Sequence, residues 1–185
     1  MKNYLRLSLL VLTGCCFATL GACQKKSTGL KVVIIRHGEK PKDGDNLNCQ
    51  GFNRSLALPK VLFGKFGTAS TILVPTVKAG IQTKQSRMFQ TISPYAVKYA
   101  ININSSYDDN DVKDVAADVK SRTGVVILVW EHNNIPKLAK ALGVQNVTGW
   151  PNSDFDSIWV VTYDNGTATL TKDTEGLKPS PDCSF

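Results

Sequence analysis

The sequence predicts an α/β protein, a doubly wound three-layer α/β/α sandwich with a mostly parallel central sheet. Two apolar runs support this prediction: residues 32–35 read Val-Val-Ile-Ile, and a second run covers residues 125–130. Strands of such uniform apolar character are typical of parallel sheets, in which helices cover both faces. Segments with helical spacing alternate with the strands, as they do in a doubly wound sheet.

The other elements follow from apolar spacing and turn residues. The predicted helices cover residues 51–66, 84–100, a segment ending near Arg122, and 135–142. The other predicted strands cover residues 70–75, 101–103, 158–163 and 167–171. Pro59 predicts a kink in the first helix, and Asp164-Asn165-Gly166 predicts a hairpin turn at the sheet edge. A polar loop at 41–48 is expected over the mouth of the site, and the Pro-rich tail is expected to be irregular.

Chemically active side chains follow the two most apolar strands. Arg36 and His37 end the first, where open α/β sheets bind ligands, and Gly38 permits a sharp turn there. His132 follows the second strand, so both histidines of the chain come directly after apolar runs. Because neighbouring parallel strands end at the same sheet edge, we expect the two imidazoles to lie close together. A guanidinium beside an imidazole suits the handling of phosphate.

Four ordered segments resemble the histidine phosphatase (phosphoglycerate mutase-like) superfamily, and the resemblance extends over roughly residues 31–163. The matching segments are Arg36-His37-Gly38-Glu39-Lys40, Leu47 to Arg54, Ser86-Arg87-Met88-Phe89-Gln90-Thr91, and Val129 to Pro136. Their order and spacing are far more specific than the Arg-His-Gly triplet alone.

The resemblance implies catalysis through a phosphohistidine, without a metal or another cofactor. His37 would attack phosphorus, and Arg36, Arg87 and His132 would hold the phosphoryl oxygens. Arginine suits this role because its planar fork can hold two oxygens at once.

The proton donor for the leaving group stays open. Acid-phosphatase branches of the family carry Asp directly after the second histidine, whereas Asn133 stands there in this chain. The candidates are the carboxylates of Glu39, Asp108, Asp109 and Glu131.

Two further charged features have plainer interpretations. The aspartates of the 105–111 loop lack the glycine and closing glutamate of a calcium-binding EF-hand, so we favour helix capping for them. Arg54 is expected in solvent or in a structural ion pair rather than in the outer shell of the phosphate pocket.

Residues 1–22 are predicted to be a lipoprotein signal peptide, and residues 23–29 a polar tether before a domain at 30–185. A positive start precedes an apolar run, and Leu20-Gly21-Ala22-Cys23 resembles a bacterial lipobox. The run is short for a membrane span, which favours lipidation of Cys23 over a transmembrane anchor. We therefore expect a lipoprotein of the bacterial envelope that faces the periplasm and is held at the membrane by its lipid.

Charge and cysteine content agree with export. Removing residues 1–22 lowers the formal charge from +7 to +5, because only Lys2 and Arg6 are lost. The remaining positive charges are scattered and do not predict nucleic-acid binding. Cys49 and Cys183 could form a disulfide in an oxidising periplasm or remain two separate thiols. No cysteine spacing resembles a zinc site.

Three functions fit these features. The favoured one is a phosphomonoesterase acting on a small exported or envelope phosphate ester. A non-catalytic phosphate-binding envelope lipoprotein is the alternative, and a phosphomutase is less favoured because the family's mutases usually carry longer insertions.

Overall fold

The computed structural model describes residues 29–78, 85–183 and 185 of the chain. Strands and helices alternate up to the fourth helix, and a hairpin follows. The strands are β1 (Lys31–Arg36), β2 (Thr71–Pro75), β3 (Ile103–Tyr107), β4 (Val125–Trp130), β5 (Ser157–Asp164) and β6 (Thr167–Thr174). The helices are α1 (Cys49–Phe66), α2 (Ser86–Tyr99), α3 (Val112–Lys120) and α4 (Ile135–Ala141).

One six-stranded sheet has the order β3-β2-β4-β1-β5-β6. The pairs β1–β4, β2–β4 and β2–β3 are parallel, whereas β5 runs antiparallel to both β1 and β6. In the central pair, Lys31 lies opposite Val125 and Arg36 lies opposite Trp130. The mostly parallel sheet confirms the predicted fold class.

Helices cover both faces of this sheet. On one face, Leu58 of α1 and Ile92 of α2 lie in the same core cluster as Val33 of β1. On the other face, Val115 of α3 and Leu138 of α4 share a cluster with alternate strand residues. Val32, Val33, Ile34 and Ile35 are all fully buried because each face of β1 has its own layer of helices.

Most element predictions are confirmed, with different ends. Helix α1 begins two residues earlier than predicted, because the Asn48 side chain accepts a hydrogen bond from the Gly51 amide and caps the helix. Pro59 lies inside α1, which continues to Phe66. The prediction was wrong for β3, which runs from Ile103 into the polar segment assigned to a loop. Half-exposed Asn and Ser are tolerated there because β3 is an edge strand.

The β5–β6 hairpin is longer than predicted and ends the sheet at β6. Asp164 belongs to β5, so the connection is the two-residue Asn165-Gly166. Both residues have positive φ, 48° and 83°, as a type I′ turn requires.

The segment after β6 is irregular, as predicted, and lies against the start of α1. Cys49 and Cys183 form a disulfide with their Cα atoms 4.9 Å apart, which resolves the alternatives left by the sequence. Asn53 Nδ2 donates hydrogen bonds to the carbonyls of Ser180 and Asp182, at 2.9 and 2.8 Å. The disulfide and these hydrogen bonds join the tail to the first helix.

The predicted signal peptide and lipidated Cys23, as well as Lys84 at the start of the predicted second helix, lie outside the described residues. Within the ranges that are described, no helix is both long and apolar enough to span a bilayer.

We expect the disulfide to stabilise the folded protein. The two cysteines are 134 residues apart, and closing a loop of that length is worth about 5 kcal/mol in the chain-entropy model. Urea unfolding with and without dithiothreitol should show a large loss of stability on reduction. The double variant Cys49→Ser, Cys183→Ser is the control and should not respond to dithiothreitol. Equal stability of oxidised and reduced protein would contradict this role.

Candidate active site

The two histidines lie at the same edge of the sheet. His37 directly follows β1 and His132 follows its parallel neighbour β4 by two residues. The His37 amide donates a hydrogen bond to the Trp130 carbonyl at 3.2 Å, which ties the two strand ends together. The carboxyl ends of β1 and β4 therefore position both imidazoles.

His37 is only 1% exposed, and its contacts define one tautomer. Nδ1 lies 2.7 Å from the Gly38 carbonyl oxygen. A carbonyl can only accept, so Nδ1 carries the hydrogen and Nε2 keeps its lone pair. Burial lowers the pKa of His37 from 6.5 to about 3, against the opposing effect of the Gly38 carbonyl. The ring is therefore neutral at neutral pH, with Nε2 available as a nucleophile.

Three basic side chains lie within electrostatic reach of this ring. After burial, the charges of Arg36, Arg87 and His132 are the interactions that lower the pKa of His37. The fold thus brings together all four residues that the sequence selected. Two guanidinium groups and a second imidazole around a neutral imidazole suit an anionic group such as a phosphoryl.

Arg36 is fixed by the loop before β5. One terminal nitrogen donates to the carbonyls of Asn152 and Asp154, at 2.7 and 3.0 Å. The guanidinium carbon lies 3.8 Å from the centre of the Phe155 ring. Burial lowers the pKa of Arg36, and Glu131 is the charge that opposes this most. Nothing in the sequence indicated that this loop would form a wall of the site.

Arg87 lies in the first turn of α2 and joins it to the polar loop after β1. Its terminal nitrogen donates to the Gly44 carbonyl at 3.0 Å. The neighbouring Ser86 hydroxyl donates to the Asp45 carbonyl at 2.7 Å. Gln90, one turn further, accepts a hydrogen bond from the Leu47 amide at 3.0 Å. The loop therefore lies against the start of α2, beside the arginine that the sequence selected.

His132 contacts Glu131, the residue before it. Its Nδ1 lies against Glu131 Oε1 without forming a hydrogen bond. The other oxygen of Glu131 accepts a hydrogen bond from the Asn133 amide at 2.7 Å. Glu131 is therefore held beside the imidazole by its own turn.

Unpartnered buried nitrogens are concentrated in this cluster. Within residues 29–78 and 85–183, five buried side-chain polar atoms lack a hydrogen-bond partner, and three of them are Arg36 Nε, Arg87 Nε and His132 Nδ1. A buried polar group without a partner costs about 1–3 kcal/mol. The Nε atoms of Arg36 and Arg87 therefore have unused hydrogen-bonding capacity that a multi-oxygen anion could use, whereas His132 Nδ1 faces the Glu131 carboxylate.

The four candidate proton donors differ in their surroundings. Glu39 is engaged by Arg54, and Asp108 pairs with Lys78 at 2.7 Å. The Asp109 carbonyl accepts hydrogen bonds from the Trp130 indole and from Nδ2 of the Asn134 side chain, at 2.8 and 3.1 Å. Burial raises the pKa of Asp109, helped by its hydrogen bond with Asp108. Glu131 is the candidate in contact with a histidine of the site.

The aspartate loop before α3 does not cap that helix through its side chains. Asp111 is the N-cap residue, but its carboxylate accepts from the Asp108 amide at 2.9 Å instead of from a helix amide. The predicted capping role is wrong in this detail, because a tight turn within the loop uses the carboxylate. In the part of the chain that is described, no group of three or more His, Cys, Asp or Glu side chains could hold a metal ion.

The start of α1 packs directly on the turn that follows His37. A Cβ atom on Gly51 would lie 2.2 Å from the Glu39 carbonyl oxygen, and one on Gly38 would lie 2.9 Å from the Gly51 carbonyl oxygen. Both positions therefore require glycine. The Asn48 amide also donates to the Glu39 carbonyl at 3.0 Å. Backbone contact, without intervening side chains, sets the position of this turn.

Arg54 forms a structural ion pair, which was one of the two predicted alternatives, and it is not in solvent. It is 4% exposed and donates two hydrogen bonds to Glu39, at 2.9 and 2.7 Å. A third goes to Glu175 at 2.5 Å, and Asp156 lies 3.8 Å away.

Sequence reasoning missed Glu175, which follows an edge strand and gave no signal of burial. It also missed Thr91, whose hydroxyl accepts a hydrogen bond from the Gly38 amide at 2.9 Å.

We expect Glu175 to make stability depend on pH. Burial raises its pKa from 4.5 to about 8, although Arg54 opposes the shift. The folded protein then binds more protons than the unfolded chain between these values, so the free energy of unfolding falls as pH rises through this window. The lowered pKa of His37 has the opposite effect: it makes the free energy of unfolding rise with pH between about pH 3 and 6.5. The effect of Glu175 should therefore emerge between pH 6.5 and 8.

Urea unfolding at several pH values in this window measures the effect. The free energy of unfolding of the wild type should fall relative to that of Glu175→Gln, by at most about 1.4 kcal/mol per pH unit. Arg122→Ala, a distant charge change, should leave the slope of the wild type unaltered. Parallel curves for wild type and Glu175→Gln would contradict the expectation.

No family model and no curated protein matches the chain. Solved structures do match its fold. One is the protein histidine phosphatase SixA complexed with tungstate, with a TM-score of 0.58 and 18% identity over 78% of this chain and 97% of that one. Another is described as phosphohistidine phosphatase SixA from Agrobacterium tumefaciens, with a TM-score of 0.55 and 17% identity over 79% of this chain and 97% of that one.

A third match is the phosphoglycerate mutase of Bacillus anthracis strain Sterne, with a TM-score of 0.50 and 12% identity over 85% of this chain and 96% of that one. Phosphohistidine phosphatases and a phosphoglycerate mutase share one architecture with the chain, across nearly their full lengths. The chain therefore has the fold of the histidine phosphatase superfamily.

Proposed function

We propose that the protein is a phosphomonoesterase that acts through a phosphohistidine intermediate on a small phosphate ester of the cell envelope. The observation that carries the proposal is the buried neutral His37 with the unpartnered Nε atoms of Arg36 and Arg87 in the same cluster. The fold supports it, since this architecture is shared with enzymes that handle phosphoryl groups.

In the proposed first step, the substrate phosphoryl group binds between the two arginines and His132. Nε2 of His37 attacks phosphorus in line with the ester oxygen. The N–P bond forms while the P–O bond breaks, and the leaving oxygen takes a proton from a carboxyl group of the site, which becomes the carboxylate of the second step. The cations stabilise the charge spread over the equatorial oxygens in the transition state.

In the second step, water attacks the phosphohistidine. A carboxylate accepts a proton from that water, the N–P bond breaks, and inorganic phosphate leaves with His37 restored as the neutral ring. The hydrogen bond from Nδ1 to Gly38 keeps the same nitrogen available in both steps. The proton taken by the leaving group and the proton lost by water balance over the cycle.

The surroundings of the proton donors favour substrates with good leaving groups. Glu39 and Asp108 are held in ion pairs, and no carboxylate directly follows His132. General acid catalysis contributes about 10²–10⁴ in rate, which matters most for poor leaving groups. An aryl phosphate, an alkyl phosphate and phosphohistidine therefore form the informative substrate panel, the last because of the likeness to SixA. A protein that binds phosphate but releases none from any of the three would be the non-catalytic lipoprotein.

Removing the proposed nucleophile and removing one arginine should lower the phosphatase activity to different extents. His37→Ala should abolish both aryl phosphate hydrolysis and the acid-labile, base-stable phosphate trapped by rapid quench. Arg87→Ala should keep the nucleophile and lower kcat/KM by about 10²–10³, the loss expected for one charged donor.

Arg122→Ala is the matched control. Arg122 pairs with Asp118 at 2.9 Å, just before β4 begins, so it lies at the other end of that strand from His132. Its loss should leave kcat/KM unchanged. A labelled phosphoenzyme that persists in His37→Ala would show that another residue is the nucleophile.

We further propose that Cys23 is lipidated and holds the domain at the periplasmic face of a membrane. The motif Leu20-Gly21-Ala22-Cys23 after an apolar run supports this proposal. Mass spectrometry of protein from the membrane fraction should find diacylglycerol on an N-terminal Cys23. Cys23→Ser is the control and should retain the uncut leader. A wild-type protein with an intact leader, or cut elsewhere, would exclude the anchor.

A further inference from the structure

We propose that Arg54 is a positioning residue for the nucleophile: through Glu39, it holds the Gly38 carbonyl against Nδ1 of His37. The inference rests on the proposed role of His37. It assigns to Arg54 a part in catalysis without any contact with the substrate, since its guanidinium is directed to carboxylates and not to the phosphoryl site.

The Arg54–Glu39 pair has a two-point geometry. Arg54 donates through Nε and a terminal nitrogen to the two oxygens of Glu39, at 2.9 and 2.7 Å. A two-point contact of this kind fixes the orientation of the carboxylate as well as its distance. Glu39 is 13% exposed in its side chain and Arg54 5%, so solvent does not compete strongly with the contact.

The path from this pair to the proposed nucleophile is short. Glu39 directly follows Gly38, whose carbonyl accepts the Nδ1 hydrogen of His37 at 2.7 Å. The Gly38 amide donates to Thr91, and the Glu39 carbonyl accepts from Asn48. The peptide between Gly38 and Glu39 thus lies between a peptide held by α2 and a peptide held by the start of α1, and the Arg54 fork holds the side chain of Glu39. Of the two residues that flank this peptide, only Glu39 has a side chain, and Arg54 determines where that side chain lies.

The contacts of Arg54 require a guanidinium group. Arg54 also donates to Glu175, which is fully buried in its side chain, so one residue joins the turn after β1 to the segment after β6. A lysine carries one compact charge and cannot hold both oxygens of Glu39 while reaching Glu175. Arg54→Lys should therefore keep the positive charge but lose the fixed orientation of the Glu39 carboxylate.

The consequence for catalysis follows from the tautomer. If the Gly38 carbonyl moves away, the hydrogen of His37 is no longer assigned to Nδ1, and the population with a free Nε2 falls. Outer partners that orient a histidine are typically worth about 10–100-fold in activity where they have been removed from metal-bound histidines. We expect a loss of this size in kcat, with KM unchanged because Arg36, Arg87 and His132 stay in place.

The experiment reads the tautomer directly. Since the chain has two histidines, the imidazole ¹⁵N spectrum contains two rings, and His132→Ala identifies that of His37. The wild type should show one neutral His37 tautomer with hydrogen on Nδ1. Arg54→Lys and Glu39→Gln should show a mixture with the Nε2-protonated form. Added guanidinium should restore the wild-type spectrum and kcat of Arg54→Ala, and Arg122→Ala should match the wild type throughout.

The outcomes separate this inference from the proposed function. If the wild type releases no phosphate from any substrate of the panel, the proposed function fails, while the tautomer comparison still decides the role of Arg54. If Arg54→Ala does not fold, Arg54→Lys and Glu39→Gln provide the comparison. A single Nδ1-protonated tautomer in these two folded variants, or a loss confined to KM, overturns the inference.

Discussion

The backbone contact between Gly51 and the Gly38–Glu39 turn is the constraint on which the site depends. The two segments approach so closely that neither glycine could carry a side chain without displacing the other. This approach sets the first turn of α1 beside the end of β1, and Arg54 lies one turn further along the same helix. The distance between helix and strand end is therefore fixed by main-chain atoms, which leaves side chains free to adjust charge and orientation.

Burial then gives each charged group a different role. His37 loses its tendency to carry charge because it is enclosed and surrounded by cations. Arg54 keeps its charge because carboxylates surround it, and these interactions raise its pKa in spite of burial. A neutral imidazole and a permanent cation can thus lie in neighbouring parts of one interior, since the local partners decide the ionisation of each.

The sequence predicted the parts of this arrangement that depend on local pattern. Arg36, His37 and His132 were found because they follow apolar strands, and parallel strands bring such positions to one edge. The resemblance of residues 86–91 to a known family added Arg87, which no local pattern would have separated from an exposed helical arginine. The partners of Arg54 were not predictable, since Glu175 comes 121 residues later and its burial depends on tertiary packing. The wall formed by Asn152, Asp154 and Phe155 was missed for the same reason, because its contacts with Arg36 are made mainly by backbone carbonyls and a ring face.

The disulfide joins the beginning of the first helix to the segment that follows the last strand. Between the two cysteines, the described residues include the rest of α1, three further helices and five strands, so the bond closes only after all these elements have been synthesised. A chain that emerges from its amino-terminal end therefore presents the Arg-His-Gly turn early and acquires the covalent link beside it late. Until that link forms, the neighbourhood of His37 depends on non-covalent contacts alone.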